Sequence, residues 1–232
     1  MLKAENITKR FSGITAVDNV SLFVNEGETV GVIGTNGAGK TTLFNILSGF
    51  ERADSGTVLY KGRNVTNLPP NKLDIARTFQ NLRLFYDMTV RENLLVSAFA
   101  KKTDPKICDG LLRATELWEK RDRLATALSY GEMRKLELAR AAATGSKMIL
   151  LDEPSAAMTQ SEAAALSEIL KKLKRDLGLT ALIIEHNMEL VRLSCDRVYA
   201  MAEGRVIFSG TPQSTLKDPT VIRTMLTTEK PC

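Results

Sequence analysis

Short apolar runs alternate with longer segments of helical spacing along most of this chain. Short runs rich in β-branched residues are typical of strands, and apolar residues that recur once per helical turn are typical of helices. This pattern predicts strands at residues 2–8, 17–24, 29–33, 56–60, 148–151, 180–184, 197–202 and 205–209. It predicts helices at residues 40–47, 131–143, 161–177 and 188–193. Strands that alternate with helices favour an α/β fold with a mostly parallel sheet.

Turn residues and one change of character divide the chain further. Gly49 is placed to end the helix 40–47, and Glu203-Gly204 is typical of a hairpin turn between the last two predicted strands. Pro69-Pro70 predicts a break before another helix-like stretch. The segment 82–127 is rich in helical spacing and in charge clusters, so we interpret it as a helical insertion.

Composition narrows the class of protein. The chain has 232 residues, of which 44% are hydrophobic and 25% charged, so it can bury a sizeable core as one large domain or two small ones. No apolar stretch approaches the roughly 18 residues of a membrane span. The N-terminal residues lack the apolar segment of a signal peptide. An integral membrane protein and a Sec-secreted protein are therefore disfavoured.

Charge, cysteine and histidine content exclude further classes. The net charge of +5 is modest, and the densest basic cluster, residues 171–175, lies on a predicted helix with acidic residues upstream, which is typical of a solvated face. Cys108, Cys195 and Cys232 are widely spaced and indicate neither a disulfide framework nor a zinc site. His186 is the only histidine, which excludes a metal site built on several histidines.

A glycine-rich loop at residues 34–41, GTNGAGKT, joins the strand 29–33 to the helix 40–47 and matches GxxxxGK[ST]. Its glycines let backbone N–H groups turn toward phosphate oxygens, and the helix adds the positive end of its dipole. In this pattern Lys40 supplies a charge to the β- and γ-phosphates, and the Thr41 hydroxyl can ligate Mg²⁺. An ordinary glycine-rich turn would explain the glycines alone, but the complete pattern favours a phosphate loop.

A pair of carboxylates follows the apolar run 148–151. In phosphate-loop NTPases, an Asp at the end of such a strand completes the Mg²⁺ shell, which is the place of Asp152 here. Glu153, one residue further, is then placed to polarise a water molecule. The pair alone is equally typical of a strand that ends in solvated acids, so its weight depends on the phosphate loop.

A second helix start is also suited to an anion. Ser129 with Glu132 three residues later forms a capping box, which is a complete structural explanation. Gly131 is not required for capping, however, and a helix start that bears Ser and Gly is also an anion site. Because the phosphate loop already holds one nucleotide, this second start suggests a site shared between two subunits.

Together these motifs resemble those of the nucleotide-binding subunits of ABC transporters, over nearly the whole chain and in the family's order. Residues 34–41 are similar to Walker A, Gln80 to the Q-loop glutamine, residues 128–132 to the LSGGQ signature, Asp152-Glu153 to the end of Walker B, and His186 to the switch histidine. The resemblance implies a P-loop NTPase (ABC ATPase) core with a mostly parallel sheet, an N-terminal antiparallel β region and a helical subdomain. It also implies a single ABC ATPase domain over residues 1–232, with its core at 1–81 and 129–232 and the helical subdomain at about 82–128.

Within the family, the chain looks most like the ATP-binding subunits of branched-chain amino-acid importers. The stretches that carry this likeness are residues 77–80, 83–85, 88–96, 129–131, 184–188, 210–212, 218–219 and 221–222. Urea-type importers and the ATPase that powers lipopolysaccharide export share some of these features and stay open as alternatives.

The resemblance assigns roles to individual residues. It places ATP against Gly34, Asn36, Gly37, Ala38, Gly39, Lys40, Thr41, Thr42 and Gln80, and Mg²⁺ against Thr41, Gln80 and Asp152. The implied catalytic residues are Glu153, as general base, and His186, in contact with the γ-phosphate. The signature residues Ser129, Tyr130, Gly131 and Glu132 would contact ATP held by the opposite subunit. Phe11 is a candidate for stacking on adenine, and a core phenylalanine is nearly as good an explanation.

The resemblance also implies cofactors, partners and location. The cofactors are ATP and Mg²⁺. The partners are transmembrane permease subunits, a second ATP-binding subunit and a periplasmic or extracellular solute-binding protein, with no nucleic acid. The expected place is the cytoplasmic face of the inner membrane, as a peripheral subunit. Phe79, Phe85 and Tyr86 would form, with the helical insertion, a groove for a cytoplasmic helix of the permease, or would pack internally.

Three departures from the family pattern leave other functions open. Tyr130 replaces the second Gly of the signature, Glu132 replaces Gln, and Thr159 stands where Asp or Asn is usual. Thr159 and Glu132 leave room for a nucleotide-gated assembly subunit with little turnover. An ABC ATPase that acts on nucleic acid would insert long coiled coils before the signature, yet residues 42–127 show no sustained heptads. A small-molecule kinase would explain the phosphate loop alone.

Overall fold

The computed structural model describes residues 1–226, and its N-terminal strands pair into an antiparallel sheet. In that sheet β1 (Leu2–Phe11) lies between β2 (Ile14–Val24) and β4 (Ser55–Tyr60), and β5 (Arg63–Asn64) forms the edge. Ser12-Gly13 joins β1 to β2 with both residues at positive φ, as a tight hairpin requires. The predicted antiparallel β region is therefore confirmed, with longer strands than the sequence pattern indicated.

A second sheet of six strands carries the site. Its strands are β3 (Thr29–Gly34), β6 (Ile75–Arg77), β7 (Met148–Asp152), β8 (Thr180–Ile184), β9 (Arg197–Ala202) and β10 (Arg205–Gly210), in the order β10-β9-β3-β8-β7-β6. All neighbours are parallel except β9 and β10, which form the hairpin predicted at Glu203-Gly204. Every residue of β3, β7 and β8 is buried, because helices or the other sheet cover both faces.

The helices are α1 (Lys40–Leu47), α2 (Val90–Ala100), α3 (Ile107–Ala114), α4 (Tyr130–Ala143), α5 (Gln160–Leu177), α6 (Met188–Ser194), α7 (Pro212–Thr215) and α8 (Pro219–Leu226). α1 has the predicted bounds, and α4, α5 and α6 each differ by one residue at one end. The insertion is helical as expected, since α2, α3 and two 3₁₀ turns occupy it, and α2 and α3 pack on α4. α7 and α8 were not predicted.

The prediction of a helix-like stretch after Pro69-Pro70 was wrong. A single 3₁₀ turn, Pro70–Lys72, is followed by the edge strand β6, which pairs with β7 through Ile75↔Met148, Ala76↔Ile149 and Arg77↔Leu150. Pairing with a buried neighbour selects the strand here, because strand formation depends on tertiary context more than on local propensity. This strand leads directly into the loop that contains Gln80.

The core lies in two layers, one on each face of the parallel sheet. Met148 and Leu150 of β7 pack with residues of α1 and the antiparallel sheet. Ile149 and Leu151 face the other way and pack with α2, α3, α4 and α5. Because successive side chains of a strand point to opposite faces, β7 packs against α1 and the antiparallel sheet on one face and against α2, α3, α4 and α5 on the other.

Two further expectations concern membranes and thiols. Within residues 1–226, none of the helices combines the length and hydropathy that crossing a membrane would need. Cys108 and Cys195 are free thiols, and Cys232 lies outside the described residues.

Thr159 begins α5 rather than disturbing it. Its side chain accepts a hydrogen bond from the Glu162 amide at 3.3 Å, and Glu162 Oε2 accepts one in return from the Thr159 amide at 2.8 Å. Threonine at this place, where Asp or Asn is usual in the resembling family, is therefore a working N-cap.

We expect Thr159→Ala to lower the free energy of unfolding by about 1 kcal/mol, because the first turn of α5 loses its cap. The melting temperature, measured by calorimetry, should fall by about 2–4 °C for a chain of this size. Thr159→Asn keeps a capping oxygen and is the matched control. An equal loss in both variants would contradict the capping role.

Candidate functional site

The site lies where the parallel strands end. Val32 of β3 and Asp152 of β7 are both in register with Ile184 of β8, so the loops that follow these strands leave the same edge of the sheet. In open parallel sheets this edge is where ligands bind. The phosphate loop, Glu153 and His186 belong to those loops, and Asp152 is the last residue of β7.

The phosphate loop is held open by its glycines. Gly39 has φ of 94°, and a Cβ there would lie 2.1 Å from the carbonyl oxygen of Ala16, so only glycine fits. Gly37 has φ of 79° and no atom within 4 Å of such a Cβ, so its backbone borders open space. α1 begins after Gly39 and has no acidic residue in its first turn, which leaves its first N–H groups for an anion.

Lys40 lies along the inside of this loop. It is buried, and its ammonium donates hydrogen bonds to the carbonyl oxygens of Gly34 and Thr35, both at 2.8 Å. Burial lowers the pKa of Lys40 below its ordinary value, while Glu153 and Asp152 act in the opposite direction. The lysine charge is therefore already held at the loop, close to the two carboxylates.

The remaining ATP-binding candidates differ in exposure. Asn36 and Thr41 are exposed, Thr42 is half-buried, and Ala38 is buried. Gly34 ends β3 beside β9. A Cβ there would lie 2.2 Å from the Met201 carbonyl oxygen, so the backbones are too close for a side chain. Gly34 and Ala38 therefore shape the loop, and the exposed side chains are the ones that solvent or a ligand can reach.

Three predicted residues meet at Glu153. Its Oε2 accepts a hydrogen bond from Gln80 Nε2 at 3.1 Å, and its Oε1 lies 3.0 Å from His186 Nε2. Glu153 has φ of 48°, a left-handed conformation that costs a non-glycine residue about 1–3 kcal/mol and is concentrated at functional sites. Segments that are far apart in sequence thus converge on one carboxylate.

Asp152 has a partner that the sequence did not assign. Its Oδ2 accepts a hydrogen bond from Arg77 Nη2 at 3.0 Å, and both side chains are almost completely buried. Arg77 also donates to Asn45 Oδ1 and Ser48 Oγ of the α1 region. No local sequence pattern signals this role, because the strand that ends at Arg77 was itself not predicted.

The oxygen atoms at this edge suit Mg²⁺. The Thr41 hydroxyl is exposed, the Gln80 amide supplies an oxygen, and Asp152 has a second carboxylate oxygen besides the one that Arg77 binds. Hydroxyl, amide and carboxylate oxygens are hard ligands of the kind Mg²⁺ takes with water and phosphate. In the described part of the chain no group of three or more His, Cys, Asp or Glu could hold a metal, so a protein-only cage is not what these residues form.

The signature segment caps α4 as predicted. Ser129 Oγ accepts from the Glu132 amide at 3.3 Å, and Glu132 Oε2 accepts from the Ser129 amide at 3.0 Å. Glu132 also forms an ion pair with Lys120 of the helical insertion. Gly131 is buried, and a Cβ there would lie 2.8 Å from Glu162 Oε1, so any other residue would displace the end of the Glu162 side chain.

Arg134 connects the signature helix with the Gln80 loop. This buried guanidinium donates to the carbonyl oxygens of Phe79 at 3.1 Å and Gln80 at 2.6 Å, and to the Tyr130 hydroxyl at 2.7 Å. Glu137 Oε2 accepts from the same group at 3.1 Å. The tyrosine that replaces glycine in the signature therefore anchors Arg134. Sequence reasoning missed Arg134, since a basic residue on an amphipathic helix is usually solvated.

Phe11 ends β1 with its side chain 43% exposed, so the alternative of a core phenylalanine is wrong. Lys9 Nζ lies 5.0 Å from the Phe11 ring centroid. The stacking of Phe11 on adenine stays a prediction.

The aromatic cluster beside Gln80 is partly packed and partly open. Phe79 packs edge-on against Phe50 with ring centroids 5.5 Å apart, while Phe85 and Tyr86 are each 41% exposed. Arg83 lies 3.6 Å from the centroid of the Phe79 ring. Internal packing is therefore confirmed for Phe79, while the groove for a permease helix stays a prediction.

We expect Lys40→Ala to weaken nucleotide binding by about a hundredfold, because a buried ammonium that bonds phosphate oxygens contributes about 3 kcal/mol. Titration calorimetry with ATP measures the effect. Lys171→Ala, which removes an exposed lysine paired with Glu168, is the control and should bind normally. Unchanged affinity in Lys40→Ala would overturn the phosphate-loop assignment.

Comparison with known proteins agrees with this geometry. The profile of the ABC transporter family matches residues 17–156. The chain is 37% identical to the high-affinity branched-chain amino acid transport ATP-binding protein LivG of Salmonella typhimurium, over 97% of both chains. It is 36% identical to LivG of Escherichia coli over the same shares, and 37% identical to a probable LivG of Methanocaldococcus jannaschii over 96% of this chain and 95% of that protein.

Solved structures give the same assignment. The ADP conformation of MJ1267, an ATP-binding cassette of an ABC transporter, superposes with a TM-score of 0.89 at 34% identity, covering 97% of this chain and 98% of that one. A dimeric post-hydrolysis state of the cassette MJ0796, bound to ADP and phosphate, superposes with a TM-score of 0.80 at 26% identity, covering 91% and 99%. The resemblance drawn from the motifs is confirmed: the chain belongs to the ABC transporter family, as an ATP-binding and ATP-hydrolysing subunit most like those of branched-chain amino-acid importers.

Proposed function

We propose that this subunit drives import of branched-chain amino acids by hydrolysing ATP at the edge of its parallel sheet. The observation that carries the proposal is the convergence of Gln80 and His186 on Glu153, beside Lys40 of the phosphate loop. The names of the relatives supply the solute class, since each is a branched-chain amino acid transport ATP-binding protein.

Phosphate binding is assigned to the loop and the start of α1. The backbone N–H groups at Gly37, Gly39 and the first turn of α1 would donate to phosphate oxygens, as at other helix N-termini. Lys40 would exchange its bonds to the Gly34 and Thr35 carbonyls for bonds to the β- and γ-phosphates. The loop would therefore bind phosphate without moving a cation into the site, because the charge of Lys40 already lies at the loop.

Mg²⁺ would be held by Thr41, Gln80 and Asp152. When bound, it neutralises charge on the phosphate oxygens and fixes their orientation. Arg77 keeps Asp152 in place through the buried ion pair of 3.0 Å, so the carboxylate does not have to be ordered when the metal arrives. Gln80 would turn its amide oxygen toward the metal while its nitrogen stays near Glu153.

Glu153 is the proposed general base. It would accept a proton from the attacking water, which lies in line with the bond to the leaving phosphate. His186, whose Nε2 lies 3.0 Å from Glu153, would hold that carboxylate and the γ-phosphate in a fixed relation. The backbone at Glu153 is left-handed, and its carboxylate contacts Gln80 and His186.

Members of this family dimerise, as the cassette MJ0796 does in its structure with ADP and phosphate. We propose that Ser129, Tyr130, Gly131 and Glu132 of one subunit complete the ATP site of the other. Two observations favour this arrangement. Ser129 and Tyr130 are exposed, and the hydrogen bonds of the signature within residues 1–226 go to α4 and Lys120 rather than to the phosphate loop of the same chain.

Subunits of this family work with permease subunits. We propose that a permease helix seats in the groove beside Gln80, which Phe79, Arg83, Glu137, Arg140 and Thr144 help to line. Such a helix would press on the Gln80 loop and so connect transport to hydrolysis. The proposed contact with a permease implies that the chain lies at the cytoplasmic face of the cell membrane, as a peripheral subunit. The chain would then be a single ABC ATPase domain, with residues of about 82–128 as its helical subdomain. A solute-binding protein on the other side completes the proposed importer.

Glu153→Gln is expected to keep ATP affinity within about threefold and to lose at least about a hundredfold in turnover, because general-base catalysis contributes that much. A phosphate-release assay and calorimetry measure the two quantities. Glu168→Gln, which alters a carboxylate paired with Lys171 on the surface of α5, should behave as the unaltered protein. Normal turnover in Glu153→Gln would remove Glu153 from this role.

The same Glu153→Gln variant should double its mass with ATP in multi-angle light scattering, since ATP that is not hydrolysed holds the two subunits together. The mass should stay that of a monomer without nucleotide. A mass that ignores ATP would count against the shared site.

The solute is tested in the assembled complex. Permease chains that co-purify with this subunit from membranes, reconstituted in proteoliposomes with their binding protein, should take up labelled leucine, isoleucine or valine only when ATP is enclosed on the side of this subunit. Uptake of urea but not of these amino acids, or export of lipopolysaccharide, would move the chain to a related system. Retention on DNA that salt abolishes would favour nucleic acid instead.

A further inference from the structure

Glu185 is a buried carboxylate to which the proposed chemistry gives no part. It follows the last residue of β8, immediately before His186, and only 2% of its surface is exposed. A buried carboxylate is costly unless hydrogen bonds satisfy it. Its partners therefore indicate why an acid stands here.

Four donors satisfy Glu185, two at each oxygen. Oε1 accepts hydrogen bonds from the Ser155 amide at 2.9 Å and the Ser155 hydroxyl at 2.6 Å. Oε2 accepts from the amides of His186 at 2.9 Å and Asn187 at 3.0 Å. One oxygen thus faces the loop after β7, and the other faces the loop after β8.

Each of these loops carries one member of the catalytic pair. Ser155 lies two residues after Glu153, in a turn closed by the Ala156 amide and the Glu153 carbonyl at 3.1 Å. His186 lies between Glu185 and Asn187, whose side chain caps α6. The carboxylate of Glu185 is consequently a direct link between the backbone that carries Glu153 and the backbone that carries His186.

We propose that Glu185 is a positioning residue that fixes His186 relative to Glu153 by bonding both loops at once. An ionised carboxylate suits this task because both oxygens only accept. A glutamine of the same shape has one accepting oxygen and one donating nitrogen. That nitrogen would lie against the donor groups of one of the two loops, and the hydrogen bonds to that loop would be lost. The proposal rests on the proposed function for its kinetic consequence, but the link between the loops can be measured without hydrolysis.

Glu185→Gln is the principal variant. We expect kcat for ATP hydrolysis to fall about tenfold, with KM and the ATP dissociation constant within about twofold, because the change displaces a positioned group but leaves the phosphate loop intact. Glu189→Gln is the matched control, since Glu189 lies four residues further on and its carboxylate pairs with Arg192 on the surface of α6. It should keep the kcat of the unaltered protein.

The single histidine of the chain gives a direct measure of the link. In tag-free protein the imidazole signals in an NMR spectrum belong to His186 alone. Glu153→Gln should move these signals, because Glu153 lies 3.0 Å from His186 Nε2. When Glu153→Gln is made in protein that carries Glu185→Gln, the His186 signals should move less than half as far as in the unaltered background. When it is made in protein that carries Glu189→Gln, they should move as far as in the unaltered background.

Two outcomes would overturn the proposal. One is an unaltered kcat in Glu185→Gln. The other is a lower kcat with the full effect of Glu153→Gln on the His186 signals, since Glu185 would then act on stability or elsewhere in the fold. An unaltered protein that hydrolyses no ATP would overturn the proposed function, while the NMR comparison would still test the link.

Ser155→Ala keeps the proposal testable if Glu185→Gln does not fold. It removes one of the four donors and leaves the carboxylate in place. We expect kcat to fall about threefold, and the effect of Glu153→Gln on the His186 signals to decrease in the same direction, because one neutral donor is lost from a charged acceptor. An unaltered kcat and an unaltered NMR response in Ser155→Ala would contradict the proposal.

Discussion

The parallel register of β3, β8 and β7 is the constraint on which the site depends. Ile184 is paired with both Val32 and Asp152, so β7 and β8 end at one level, β3 ends two residues further on, and their loops leave the same edge of the sheet. The register is strongly specified, because every residue of these strands is buried and a shift by one would turn each side chain to the opposite layer. Lys40 and His186 both lie close to Glu153 because the strands that precede these residues are in register.

Buried charge gives this edge its rigidity. Lys40 bonds two carbonyls, Arg77 bonds Asp152, Arg134 bonds the Gln80 loop, and Glu185 bonds two loops. Removing one partner of the buried Arg77–Asp152 ion pair leaves the other charge unpaired, which costs about 3–5 kcal/mol. The result is a network that holds its shape before any ligand arrives, as preorganised sites require.

Much of the fold and most of the site could be predicted from local patterns. The phosphate loop, the carboxylates after β7 and the histidine after β8 each stand at a strand end that the apolar runs reveal. Arg77, Arg134 and Glu185 were not assigned, because their partners lie 75, 54 and 30 positions away in the chain and no local pattern records such contacts. β6 was missed for the same reason, since it is a strand only through its pairing with β7.

Gly39 has a consequence for stability as well as for binding. A helix normally receives an oxygen at its first N–H groups from a capping side chain, an interaction worth about 1 kcal/mol, and glycine has none to offer. α1 therefore begins with no side-chain oxygen at its first N–H groups. In the proposed site a bound phosphate group would supply that oxygen, so the ligand would become part of the secondary structure of the subunit and the stability of α1 would rise with ligand concentration.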